Sequence, residues 1–247
     1  MKASIRNVVF GCPDPRSLGS FYAELLGMRI IREDWLVVAR DEASFPRLAF
    51  DQEDDYQPPR WPDPEHPQQL HLDLPVSDLE AAETEVLRLG AKPLKVQGEC
   101  RSYADPAGHP FCLYRDPAAS SQSGRALPTR IGRVVYDCFS PRSLAAFYEE
   151  LLDLHVRKQD SQFRVEIAGD EHSFPTLAFQ HAQFKAARWP DPAYPQQIHL
   201  DLSVDDGEAA NELALRLGAI PLPPMGGSCP VYADPASHPF CLCSPQQ

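Results

Sequence analysis

The chain has 247 residues, 43% hydrophobic and 23% charged, with 26 Pro and 13 Gly; this is enough apolar material to bury a core and excludes a disordered, collagenous or coiled-coil protein. A formal charge of −12, from 23 Lys+Arg against 35 Asp+Glu, repels phosphate backbones and argues against nucleic acid as a partner. No apolar run reaches the ~18–20 residues of a membrane span, the N-terminus lacks a signal-peptide h-region, and seven cysteines without a CxxC pair fit reduced thiols, so the expectation is a cytoplasmic protein with no membrane partner.

In chain order, residues 5–11 form a β-branched, aromatic strand. Asp14 is suited to cap a helix whose first position is Pro15, and Leu18, Phe21, Tyr22, Leu25 and Leu26 give it an apolar stripe. Short strands follow at 28–32, 35–40 and 47–51. A Pro-rich loop leads to a strand at 69–74, and Asp78 caps a second helix ended by Gly90. Strands near 93–96, 101–104 and 110–114 complete the unit, which reads as βαβββ twice.

The unit is then repeated. Arg60–Leu74 recurs at Arg188–Leu202 with 12 of 15 positions identical, and Tyr103–Leu113 recurs at Tyr232–Leu242 with 10 of 11 identical. The spacing is that of a whole-domain duplication. Residues 1–115 form one module, 116–128 a Pro/Ala/Ser/Gly-rich linker, and 129–247 a second module. The fold class is α+β, with four βαβββ motifs.

The opening strand with Asp14-Pro15 and Phe21-Tyr22, the His-bearing fifth strand, and Asp105-Pro106-Ala107-Gly108-His109-Pro110-Phe111 before the last strand resemble the vicinal-oxygen-chelate superfamily. That superfamily contains glyoxalase I, bleomycin-resistance proteins and extradiol dioxygenases, and the resemblance covers both copies. It implies cup-shaped mixed sheets with flanking helices, paired modules, here within one polypeptide with scope for a further homodimer, and a small-molecule ligand.

The resemblance also implies a divalent metal held by His or Glu from the first, fourth, fifth and eighth strands. Residue by residue, those positions hold Asn7, His71 and Cys112 in copy one and Arg133, His199 and Cys241 in copy two, with only Phe50 and Phe179 near on the fourth strand. A His and a Cys are one ligand short of a catalytic zinc site, and Arg133 would set a permanent positive charge beside the metal. The expectation is no cofactor.

Strand alternation places Asn7, His71, Asp73, Cys112 and Tyr114 towards the cup in copy one. Arg133, Asp137, His199, Asp201, Cys241 and Cys243 take the corresponding face in copy two. His71/Asp73 and His199/Asp201 read either as general acid/base pairs or as pairs that satisfy each other. Arg133 reads as a carboxylate anchor or as the salt-bridge partner of Asp137 or Asp201. Trp61 and Trp189, each in an Arg-Trp-Pro-Asp-Pro loop, read as rigid plates at a cavity mouth or as structural plugs. The expected function is small-molecule binding without the usual metal site, as in drug or metabolite sequestration. The alternatives are a lyase, isomerase or dioxygenase-like enzyme using His71/Asp73 or His199/Asp201, and an interaction module with filled cups.

Overall fold

The computed structural model describes residues 3–60, 68–94, 100–119, 126–183, 185–189, 191, 195–224 and 227–244. Its first repeat runs β1 (Ala3–Cys12), α1 (Pro15–Leu26), β2 (Arg29–Arg32), β3 (Leu36–Ala39), β4 (Arg47–Gln52), β5 (Leu70–Val76), α2 (Leu79–Arg88), β6 (Lys92–Pro93), β7 (Cys100–Ala104) and β8 (Pro110–Arg115). The second runs β9 (Arg133–Cys138), α3 (Pro141–Leu152), β10 (Val156–Asp160), β11 (Arg164–Ala168), β12 (Thr176–His181), β13 (Ile198–Val204), α4 (Gly207–Arg216), β14 (Ile220–Leu222), β15 (Val231–Ala233) and β16 (Pro239–Cys243).

Local chemistry sets the helices as expected. The Asp14 carboxylate accepts from the Ser17 amide, Pro15 opens α1, and Gly27 closes it in the left-handed region at φ 63°. Its apolar stripe of Leu18, Phe21, Tyr22, Leu25 and Leu26 is buried. In α3 the cap differs: the Ser140 hydroxyl bonds Ser143 Oγ at 2.8 Å, and not a backbone N–H.

The strands form two mixed eight-stranded sheets, ordered β14-β15-β16-β13-β1-β4-β3-β2 and β10-β11-β12-β9-β5-β8-β7-β6. Each sheet takes one βαβββ motif from each repeat. In the first, β1 runs antiparallel to β13, with Val9 opposite His199 and Asn7 opposite Asp201. In the second, β5 runs antiparallel to β9, with Asp73 opposite Arg133. Each motif has β1, β5, β9 or β13 at one of its two edges, and pairing across repeats covers these four, leaving β2, β6, β10 and β14 at the sheet ends. The sheet units therefore cross the sequence modules at 1–115 and 129–247. Residues 120–125 of the expected linker lie outside the described residues, and Asp116 at its start pairs with Arg130, just beyond its end, at 2.9 Å.

One hydrophobic core joins the helix-facing sides of both sheets; Phe10, Tyr22, Phe50, Phe111, Tyr136, Tyr148, Phe179 and Phe240 are its large members. Among the described residues no helix is long and apolar enough to cross a membrane.

Candidate functional site

Cross-repeat pairing regroups the residues of each cup. Asn7 leaves His71 and Cys112 and instead donates through Nδ2 to Asp201 Oδ2 at 2.8 Å. Arg133 leaves His199 and Cys241 and reaches Asp73 Oδ2 at 3.5 Å. Asp137 goes with Arg133, accepting from Gln68 at 3.0 Å and Gln180 at 2.6 Å. Of the two readings of Arg133, the salt bridge to Asp137 or Asp201 is replaced by bonds to Glu166, at 2.8 Å, and Asp73. Asn7, His199, Asp201, Cys241 and Cys243 line one cup and His71, Asp73, Cys112, Tyr114 and Arg133 the other, while Asp137 lines neither; the grouping by copy is corrected, because a strand's period does not reveal which repeat supplies its neighbour.

The larger cup, about 570 Å³, is lined by Asn7, Asp51, Glu53, His199, Asp201 and Cys241, with Trp35 and Trp189 on its walls. Both indoles are tethered: Trp35 Nε1 donates to Asp51 at 2.5 Å and Trp189 Nε1 to the Pro223 carbonyl at 3.2 Å. Trp61 lies outside the described residues. Cys229 and Cys243 also line this cup, joined in a disulfide. The expectation of uniformly reduced thiols is corrected by that bond, which a 14-residue spacing without a motif does not announce. Five cysteines are free.

A directed hydrogen-bond chain fixes the floor of this cup. Glu53, an acceptor, takes the Gln196 amide nitrogen at 3.2 Å. The Gln196 oxygen therefore faces His199 Nδ1, at 2.7 Å. This makes Nδ1 the donor and turns Nε2 to Asp201, 3.6 Å away. Burial disfavours a charged imidazole, yet Asp201 and Cys241 outweigh it and hold His199 well above its ordinary value. Burial raises Asp201 and its imidazole neighbour overrides that, lowering it; burial pushes the Cys241 thiol up.

The smaller cup, about 390 Å³, has His71, Asp73 and Cys112 on its floor. His71 Nε2 lies 3.3 Å from Asp73 Oδ1, while its Nδ1 has no hydrogen-bond partner among the described residues. Burial opposes the charged form here as well, but Cys112 and Asp73 push His71 up to about 10. Arg133 lies over the Tyr114 ring at 4.2 Å. That stack depends on Gly132, where a Cβ would collide with the Tyr114 hydroxyl.

The donor set gives a test of the implied metal. In each cup a His, an Asp and a Cys bring ligand atoms within 4.8 Å of one another. Asp73 and Asp201 add a third donor that the sequence reading placed in the cup without counting as a ligand. The signal was available: Asp lies two residues after His on the same strand, in register with the Cys of the parallel neighbour. The larger cup fits a zinc-like ion, offering N, O and S donors and an Nδ1 already held by Gln196. The smaller cup does not fit, because Arg133 and Arg164 both reach Asp73 Oδ2, at 3.5 and 3.3 Å.

Two stretches, residues 7–114 and 133–243, match the family model of the glyoxalase-like domain. The chain belongs to the glyoxalase-like family. Its fold is that of vicinal-oxygen-chelate proteins. Glyoxalase I from Zea mays is 15% identical with a TM-score of 0.63, over 98% of this chain and 92% of that one. A presumed dioxygenase from Bacillus subtilis is 13% identical with a TM-score of 0.64, over 98% and 84%. At such identities the likeness is one of fold. No curated protein matches the chain.

Proposed function

We propose that this glyoxalase-like protein binds a small, partly aromatic molecule in the larger cup, as a sequestering protein does. The observation that supports the reading is the pair of tethered indoles, Trp35 and Trp189, on one cavity of about 570 Å³ with a polar floor. Anchored aromatic plates offer stacking area at low entropic cost, and a few fixed polar groups orient the ligand. The test is tryptophan fluorescence of the full chain against a panel of planar aromatic compounds. Binders should quench the signal and should weaken about tenfold or more in Trp189→Ala, a loss of ~1.4 kcal/mol. A panel without binders, or binders indifferent to Trp189 and Trp35, would refute the reading.

A second reading, that of an enzyme, is favoured by one observation, the His199–Asp201–Cys241 cluster. Those three side chains would hold a divalent ion, which would act as a Lewis acid on a bound carbonyl or similar oxygen. The chain's own part would be to orient His199 through Gln196 and Glu53 and to give up protons from His199 and Cys241 on loading. Turnover that survives His199→Ala would exclude this version.

A further inference from the structure

The two cups share their floor and differ in their walls. The pairing register makes the comparison residue by residue. Asn7 stands opposite Arg47 on the parallel neighbour, and Arg133 opposite Thr176, at matching positions of β1–β4 and β9–β12. Continuing the register, Trp35 corresponds to Arg164, Val37 to Glu166 and Asp51 to Gln180. The smaller cup thus exchanges a neutral amide and an indole for two guanidiniums. It loses one carboxylate and gains another. Lining the smaller cup are three guanidiniums (Arg115, Arg133 and Arg164) and two carboxylates (Asp73 and Glu166). The larger cup shows the reverse, with Arg6 and Arg32 against Asp51, Glu53 and Asp201. Asp137 lies behind the smaller cup's wall, tied to Gln68 and Gln180.

The guanidiniums are held but not consumed. Arg133 is fixed by Glu166 through Nε and by Asp73 through Nη1; Arg164 is fixed by Gln180 through Nη1 and by Asp73 through Nη2. Among the described residues, Nη2 of Arg133 and Nε of Arg164 have no partner. Both side chains keep about a quarter of their surface accessible, 25% and 24%, above an Asp73 that keeps 5%. Two planar forks converging on one buried carboxylate oxygen present their remaining N–H groups to the cavity, an arrangement suited to a second, planar carboxylate.

We propose that the smaller cup is a second binding site, for a small molecule carrying a carboxylate, held by Arg133 and Arg164. The site is independent of what the larger cup binds.

The test uses the full chain with benzoate and its neutral isostere benzamide, titrated separately by ligand-observed NMR. Benzoate should bind at least tenfold more tightly than benzamide. Arg164→Gln should remove most of that preference, since Asp73 keeps Arg133 and His71 as partners and the fold keeps its core. Arg142→Gln, which removes an equal charge from the exposed end of α3, should leave the preference intact. Should Arg164→Gln fail to fold, raising salt from about 0.05 to about 0.5 M should weaken benzoate and spare benzamide. Equal binding of the two probes, no binding of benzoate, or a preference indifferent to Arg164 or to salt would overturn the proposal.

Discussion

The carboxyl of Glu53 accepts from Gln196 at the larger cup as that of Asp137, behind the wall of the smaller cup, accepts from Gln68. Asp137 corresponds in register to Gly11, and a Cβ built on Gly11 would fall on the Glu53 carboxyl. The same acidic function thus comes from strand β9 in one motif and from the residue just past β4 in the other. Each carboxylate orients a Gln side chain, Gln196 in one cup and Gln68 in the other. Burial pushes both carboxyls up. Among the described residues only Gln196 goes on to hold a histidine, so Glu53→Ala should weaken ligand binding in the larger cup by releasing His199, with little change in the thermal midpoint. A binding isotherm beside a melt separates the two effects.

The regrouping of cup residues predicts a pattern of coupling. Double-mutant cycles on stability should give about 0.5–3 kcal/mol for Arg133→Gln with Asp73→Asn, and likewise for Asn7→Ala with Asp201→Asn. The pairs that the repeat alone would suggest, Asn7 with Asp73 and Arg133 with Asp201, should add to within ~0.5 kcal/mol. Chemical denaturation of the variants reads all four cycles.

The cups also meet backbone to side chain. The Gln69 amide donates to Gln197 Oε1 at 3.0 Å, and the Gln197 amide donates back to Gln69 Oε1 at 3.2 Å. Gln69→Ala orphans a buried N–H and should cost about 1–3 kcal/mol, and Gln197→Ala should cost a similar amount. Gln69→Glu keeps the acceptor yet buries a charge beside the Pro195 carbonyl that Gln69 Nε2 now meets at 3.0 Å, so it should cost more. Denaturation midpoints at constant slope check the order.

The pH dependence has a definite sign. His71 titrates higher in the folded state, at about 10, than its ordinary 6.5. Its stabilisation is therefore complete below pH 6.5 and is lost as the pH rises through about 10. Asp73 is held below its ordinary 3.8 against the pull of burial, through His71 and then Arg164 and Arg133. Its share is present above 3.8 and is lost as the pH falls through the lower folded value. Thermal midpoints should plateau near pH 4–6.5 and decline towards pH 10, and His71→Gln should flatten the alkaline limb.

The Asp-Pro-Ala-Gly/Ser-His-Pro turns carried the family resemblance, and their role is structural. Asp105 accepts from Tyr22, from His109 Nδ1 and from the amides of Ala107 and His109. Asp234 does the same with Tyr148, His238 and Ala236. Asp105→Ala should therefore cost more stability than Tyr22→Phe, which removes one bond of about 1 kcal/mol. Thermal or urea melts give the comparison.

Much of this was legible in the sequence, for identifiable reasons. The amphipathic period of α1 and the capping at Asp14 and Asp78 depend on neighbours within a few residues, and they read directly. Alternation on β5 placed His71 and Asp73 on one face, as found. The partner of each β1-type edge is not legible, because β5 and β13, each preceded by Gln-Gln, carry the same x-His-Leu-Asp-Leu pattern and either satisfies the rule of alternation. Glu53 is not legible because it lies just past the end of β4, where alternation no longer sorts the faces, and Arg164 is not because its role depends on cross-repeat proximity to Asp73. The Cys229–Cys243 bond needs a loop conformation that spacing does not encode.

The most direct test of the account is the affinity of a larger-cup ligand in chelator-treated protein, compared with the same protein loaded with Zn. A planar compound from the fluorescence panel serves as the probe, with Trp189→Ala beside the wild-type chain. The account predicts one-to-one binding that persists without metal and weakens in Trp189→Ala. Binding that appears only after Zn loading, or that ignores Trp189, would contradict it and leave the His199–Asp201–Cys241 enzyme as the better description.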